Sequence, residues 1–119
     1  MEKKMDDIKT SISGELVIGL DFNGRKHKNF TIGLATVKDT FEAQKEGGKD
    51  QYKIYLALIA RRIEKLGGIL KENINAELLL NLYDIDLEII LEKQKALDGS
   101  FDSFREQFEA TEKVSTSTS

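Results

Sequence analysis

Apolar residues recur at every second position along the segment from Glu15 to Ile32. Before a turn at Asn23-Gly24, the alternating apolar positions are Leu16, Ile18, Leu20 and Phe22. After the turn, Phe30 and Ile32 continue the alternation. A two-residue period that is interrupted by a turn predicts a β-hairpin.

The turn of this hairpin has two interpretations. A two-residue Asn23-Gly24 loop favours a type I′ turn, but its register puts the apolar residues of the two strands on opposite faces. A three-residue loop over 22–24, with Gly24 as a left-handed bulge residue, keeps them on one face and sets Asp21 opposite Arg25. The sequence favours the three-residue loop, because one buried apolar face stabilises a hairpin more than an ideal short turn does.

From Thr36 onward the apolar spacing changes to steps of three and four residues, which predicts helices. Thr36 with Asp39 three residues later is an acidic variant of the capping box and opens a first helix. Val37 and Phe41 give this helix a short apolar stripe, and Gly47-Gly48 end it.

The strongest helical pattern covers Gln51 to Leu66, with Asp50 as the N-cap and Gly67 as the C′ glycine. Its apolar stripe consists of Tyr52, Tyr55, Leu56, Ile59, Ile63 and Leu66. Because this stripe is broad, we expect the helix to be central to the core.

Two further helices are predicted downstream. Asn75 starts a short helix, and Asp84 or Asp86 starts a last long helix that Gly99 ends. The inward-facing positions of the long helix are Leu87, Ile90, Leu91 and Leu97. The predicted fold class is therefore α+β, an N-terminal β-hairpin followed by a bundle of about four helices.

The length of 119 residues predicts one domain. We expect a frayed N-terminal segment over 1–14 and a single α+β domain over 15–110. Residues 111–119 form a low-complexity tail rich in serine and threonine, which is expected to be disordered.

Charge and composition exclude several classes of function. The net charge is −3, which gives no general support for nucleic-acid binding. The chain has no cysteine, which excludes disulfides and thiolate metal sites and fits a reducing compartment. No segment has the length and apolarity of a membrane span or signal sequence, so a cytosolic protein without membrane contact is expected.

Candidates for catalysis or ligand binding are few. His27 is the only histidine, and a lone histidine on a hairpin is more typical of a surface residue than of a metal ligand. The glycine pairs at 47–48 and 67–68 lack the lysine and hydroxyl residue of a P-loop. Asp84, Asp86 and Glu88 lack the calcium loop pattern and fit helix capping better. We therefore expect no enzymatic activity, no cofactor and no metal.

Two basic clusters and one aromatic stripe remain. Arg25-Lys26-His27-Lys28 lies near the hairpin tip, and Arg61-Arg62 lies in the predicted central helix. Exposure of these charges to solvent is enough to explain both clusters, without a nucleic-acid partner. Phe101, Phe104 and Phe108 follow at helical spacing near the C-terminus. They either fold back on the core or form an adhesive surface for an apolar partner helix, and the spacing fits both.

The order of these segments resembles the tail assembly chaperones of contractile-tailed bacteriophages and prophages, the Mu-like group. The resemblance covers roughly residues 15–98. Its most specific part is a Leu-Ala-Leu-Ile-Ala-Arg-Arg helix placed after a hairpin and a short helix. The segments that carry it are Asn23-Gly24-Arg25, Phe30-Thr31-Ile32, Val37-Lys38-Asp39, Tyr55 to Ile63, Leu66-Gly67-Gly68, Leu78-Leu79 and Asp84 to Leu97.

The resemblance implies a non-enzymatic assembly factor in the cytoplasm of the bacterial host. Such a protein binds the tape-measure protein and keeps it soluble while the tail tube forms. The tail tube protein is the second candidate partner. The candidate contact residues are Tyr52, Tyr55, Ile59, Phe101, Phe104 and Phe108. Self-association through the hairpin edge is a further possibility.

Two other functions stay open at this stage. One is a structural head–tail connector or minor tail component, which would remain in the particle. The other is a small nucleic-acid-binding regulator, whose binding would weaken steeply with added salt.

Overall fold

The computed structural model describes residues 9–102 and shows an α+β fold, which confirms the predicted class. A three-stranded antiparallel sheet with the strand order β1-β2-β3 packs against the helices. The elements in chain order are β1 (Ser11–Phe22), β2 (Arg25–Gly33), α1 (Val37–Gly47), α2 (Gln51–Arg62), β3 (Ile63–Leu66), a 3-10 helix (Lys71–Asn73), α3 (Ala76–Leu79) and α4 (Asp84–Gly99).

The boundaries at both chain ends can be compared with the prediction only in part. Strand β1 begins at Ser11, so the segment 1–14 that was expected to be frayed overlaps the first strand by four positions, 11–14. The predicted tail, 111–119, lies outside the described residues.

The turn between β1 and β2 has two residues, and the favoured three-residue loop is wrong. Phe22 pairs with Arg25, and Asp21 pairs with Lys26 rather than Arg25. Asn23 has φ 54° and Gly24 has φ 77°, which are the two left-handed positions of a type I′ turn. Asn-Gly is the preferred dipeptide for that turn, and here the local preference decides the loop length.

An irregularity in β1 makes this turn compatible with a shared apolar face. Glu15 pairs with Asn29 and Leu20 pairs with His27, so five steps along β1 match two steps along β2. An unbroken register from the turn would place Glu15 opposite Ile32, whereas the bulge places the apolar Ile12 there. Because of the bulge, the hairpin has an ideal type I′ turn and still places the apolar residues of both strands on the same face.

Asp86 stabilises this bulge from α4. Its side chain is fully buried, and its carboxylate accepts three hydrogen bonds from consecutive backbone amides of β1. The Val17 and Ile18 N–H groups donate to Oδ1 at 2.8 and 3.2 Å, and the Gly19 N–H donates to Oδ2 at 2.8 Å. The carboxylate thus satisfies donors that the irregular strand cannot pair with β2.

The predicted central helix is shorter than expected. It ends at Arg62, and Ile63–Leu66 form β3 instead of a last helical turn. Ile63 and Leu66 are both fully buried, and they pair with Ile32 and Phe30 on the open edge of β2. Pairing with that edge satisfies backbone groups that a helix could not reach, so tertiary context overrides the helical pattern.

The predicted helix starts are confirmed. Thr36 and Asp39 form a reciprocal capping box on α1. Asp50 accepts from the Tyr52 and Lys53 amides at the start of α2, and Asn75 accepts from the Leu78 amide at the start of α3. Helix α4 begins at Asp84 and ends at Gly99, but its N-cap residue is Tyr83, which makes no side-chain cap hydrogen bond, so the predicted capping by Asp84 or Asp86 is wrong.

Candidate partner-binding surface

Helix α1 packs on α2 through small residues. Ala43 and Gly47 are the buried residues of α1. A Cβ atom on Gly47 would lie 2.4 Å from Ile54 Cγ1 and 2.5 Å from the Ile54 backbone nitrogen. The two helices therefore meet at a separation that only glycine permits at this position.

The same orientation leaves the large apolar residues of α1 in solvent. Val37 is 88% exposed and Phe41 is 60% exposed. Lys45 follows at the same four-residue spacing, and its ammonium group lies 5.4 Å from the centre of the Phe41 ring, within range of a cation–π contact. We call Val37, Phe41 and Lys45 the α1 face.

The α1 face was not among the contact residues predicted from sequence. The apolar stripe of Val37 and Phe41 was recognised, but its direction was left open. The signal that decides the direction is the pair of small residues Ala43 and Gly47, four positions apart, because a helix approaches its neighbour most closely along a small-residue stripe.

Of the predicted contacts on α2, two lie at the surface and one does not. Tyr52 and Tyr55 are 57% and 42% exposed, and their ring centres are 5.7 Å apart. Ile59 is only 2% exposed and packs in the hydrophobic core. The prediction of Ile59 as a contact residue is wrong, because the face of α2 opposite the tyrosines is buried against the sheet and the other helices.

The phenylalanine stripe is only partly described. Phe101 is half-buried and lines an open cleft together with Leu34 and Asp98. Phe104 and Phe108 lie outside the described residues, so their role stays a prediction. A further exposed apolar group, which the sequence reading did not single out, lies around the start of α4 and consists of Leu80, Tyr83 and Ile85.

The histidine that was considered as a candidate for catalysis or metal binding makes hydrogen bonds within the fold. The Gly68 N–H donates to His27 Nδ1 at 3.1 Å, so the ring proton lies on Nε2, which donates to the Phe22 carbonyl at 3.3 Å. His27 Nδ1 thus ties the hairpin to the turn after β3, while Nε2 bonds within the hairpin. Within residues 9–102, no group of three or more histidine, cysteine, aspartate or glutamate residues could hold a metal ion.

One member of the basic pair in α2 is used within the fold. Arg62 is buried, and its two terminal nitrogens donate to the Asp98 carboxylate at 3.1 and 2.7 Å. Its Nε donates to the Gly33 carbonyl at 2.8 Å. At the hairpin tip, Lys26 pairs with Asp21 at 3.1 Å. Neither cluster therefore presents all of its positive charge to a polyanion.

A charged cleft of about 550 Å³ lies between α2 and the segment before α3. Four of its charged side chains bond to other groups of the protein, whereas the buried Arg61 Nε, which also lines the cleft, has no hydrogen-bond partner among the described residues. Lys53 lies 3.5 Å from Glu77, and Glu46 accepts from the Ala76 N–H at 2.8 Å. Lys71 donates to backbone carbonyls at the end of α2, and burial lowers the pKa of its ammonium group. The cleft therefore resembles a helix-end cap more than a ligand site.

Comparison with protein-family models, with curated proteins and with solved structures finds no match. In the described part of the chain, none of the helices combines the length and the apolarity needed to cross a membrane.

Proposed function

We propose that this protein is a tail assembly chaperone of the contractile-phage type. In this proposal it acts in the bacterial cytoplasm, binds the tape-measure protein and keeps it soluble while the tail tube assembles. The observation that carries the proposal is the α1 face, where Val37 and Phe41 are 88% and 60% exposed at helical spacing. The resemblance of residues 15–98 to this family supplies the identity of the partner.

The geometry suits a partner that is itself a helix. Val37, Phe41 and Lys45 repeat every four residues and run along one side of α1. Such a stripe is complementary to the apolar stripe of an amphipathic helix, which a tape-measure protein exposes before the tube encloses it. The stripe is short, so the contact is weak enough to be reversed when tube subunits take over.

The first test is co-expression of this chain with the tape-measure protein of the same gene cluster. The proposal predicts that co-expression raises the soluble yield of the tape-measure protein and that the two proteins co-purify. Phe41→Asp should lower the co-purified amount about tenfold, which corresponds to a loss of about 1.4 kcal/mol of binding free energy.

Leu80→Asp is the matched control, because Leu80 is 59% exposed and Phe41 is 60% exposed, but Phe41 lies in α1 and Leu80 is the C-cap residue of α3. The control variant should keep the yield. A tape-measure yield that does not respond to co-expression would contradict the proposal. Recovery of this chain in stoichiometric amounts from finished particles would favour a structural tail component instead.

A further inference from the structure

The start of α4 carries an exposed patch that is both apolar and acidic. Tyr83 and Ile85 are 53% and 48% exposed. Asp84 and Glu88 are also exposed, and they lie four residues apart on the same side of the helix. Neither carboxylate forms an ion pair within the described residues, and the segment 73–92 contains no lysine or arginine. The negative charge of this patch is therefore not compensated by the domain itself.

A basic patch lies at the hairpin tip. Arg25 and Lys28 are exposed, and in the part of the chain that the structure describes neither takes part in an ion pair. Lys26, between them, is already paired with Asp21 of the same hairpin. Two positive charges are therefore available at the tip, and their number matches the two free carboxylates of the acidic patch.

Strand β1 brings the two patches to the same end of the molecule. The Gly19 N–H donates to Asp86 in the first turn of α4 at 2.8 Å, and a Cβ atom on Gly19 would lie 3.0 Å from Lys28 Cγ. Arg25 pairs with the β1 residue three positions after Gly19, which is about 10 Å of extended chain. Val17 is 57% exposed and adds apolar surface beside Asp86. A contact surface of about 800 Å² is about 30 Å across, so both patches fit within one interface.

We propose that two copies of this chain associate through this end of the molecule. A two-fold axis sets the acidic start of α4 of one copy against the basic hairpin tip of the other, and the symmetry repeats this contact. Tyr83, Ile85 and Val17 of both copies lie in the middle of the contact and lose exposure to water. A second copy is the fitting partner, because the chain itself supplies both complementary patches. No residue of the α1 face takes part.

Sedimentation velocity of the full-length chain measures this association. We expect a reversible equilibrium between monomer and dimer, with a dissociation constant that rises with added salt, because salt screens exposed charge pairs. A chain that stays monomeric at millimolar concentration would overturn the inference.

Charge reversal tests the pairing across the two-fold axis. Glu88→Lys and Arg25→Glu, made separately, should each raise the dissociation constant of the dimer about tenfold, since each places like charges opposite one another. The double variant restores opposite charges and should recover the dissociation constant of the unsubstituted chain. If the double variant associates no better than the single ones, the two patches do not meet and the inference fails.

Lys95→Glu is the matched control for Arg25→Glu. It makes the same change in net charge at an exposed position in the C-terminal half of α4, so it should leave the dissociation constant unchanged. Ile85→Asp should abolish the dimer, whereas Phe41→Asp on the α1 face should preserve it. A dimer that survives Ile85→Asp and is lost in Phe41→Asp would overturn the inference and assign the contact between copies to the α1 face.

The tape-measure protein does not enter these measurements. A monomeric chain would therefore leave the proposed function standing, and failure of the co-expression test would leave the contact between copies standing.

Discussion

Asp86 shows how one side chain can determine the path of a strand. Sequence analysis assigned it to helix capping along with Asp84, because both lie in the first turn of the long helix. In the structure Asp84 is exposed, whereas the Asp86 side chain accepts three backbone N–H groups from β1. No periodic pattern could have revealed these bonds, since the donors lie more than sixty positions away in sequence.

Asp86→Asn should therefore destabilise the domain although it conserves size. An amide has only one acceptor oxygen, so at least one buried N–H of the bulge loses its partner, and we expect a loss of about 3 kcal/mol in the free energy of unfolding. Urea denaturation followed by circular dichroism measures it. Asp84→Asn is the control and should change stability by less than about 0.5 kcal/mol. Equal effects of the two substitutions would show that the bulge does not depend on the carboxylate.

At the scale of elements, the contact between α1 and α2 determines which residues reach the surface. Gly47 lies against Ile54 at a distance that excludes a side chain, and this close approach turns Val37 and Phe41 outward. The candidate binding surface is therefore a consequence of how two helices pack rather than a separate feature.

Gly47→Ala tests this packing. Alanine is the better helix former by about 1 kcal/mol, but at this position its Cβ would collide with Ile54. We expect a net loss of about 1–3 kcal/mol, the usual cost of overpacking. Gly99→Ala is a matched control, because Gly99 also ends a helix and, among the described residues, its Cβ would meet only Asp102, at 3.8 Å. Thermal unfolding should show a lower midpoint for the first variant and an equal or higher one for the second.

At the scale of the whole molecule, Arg62 joins the ends of three elements. It is the last residue of α2, it binds the last carbonyl of β2 at Gly33, and it forms a bidentate pair with Asp98 in the last turn of α4.

Arg62→Lys keeps the charge but cannot reproduce the fork of donors. A lysine can reach either Asp98 or Gly33, and the partner that it leaves becomes unsatisfied, so we expect a loss of about 2 kcal/mol in the free energy of unfolding. Arg25→Lys, at the exposed hairpin tip, is the control and should be nearly neutral. Chemical denaturation at low and at high salt checks both variants. An effect at position 62 that vanishes in high salt would mean that the pair behaves as a surface ion pair.

The sequence predicted the features whose causes are local. Thr36, Asp50 and Asn75 were identified as N-caps because each accepts from an amide two or three residues away. The hairpin and the α+β class followed from the change of period near Thr36. Tyr52 and Tyr55 were placed in the same apolar stripe as Ile59, but the structure exposes the tyrosines and buries Ile59, because spacing could not distinguish the two sides of a broad stripe. A contact role of the tyrosines stays a prediction.

The amino-acid sequence by itself determined where the helices of this protein start and that a hairpin turns near Asn23-Gly24, because caps and turns depend on neighbours within a few residues. It left the loop length between two alternatives, and the favoured three-residue loop was wrong. Only the tertiary structure decided that Ile63–Leu66 leave the helix for the sheet, that Asp86 holds a bulge open and that α1 turns its large side chains outward. Each of these depends on groups that are distant from one another in sequence or on different elements. The open edge of β2, the backbone N–H groups of β1 and the close contact at Gly47 become available to their partners only when the chain folds.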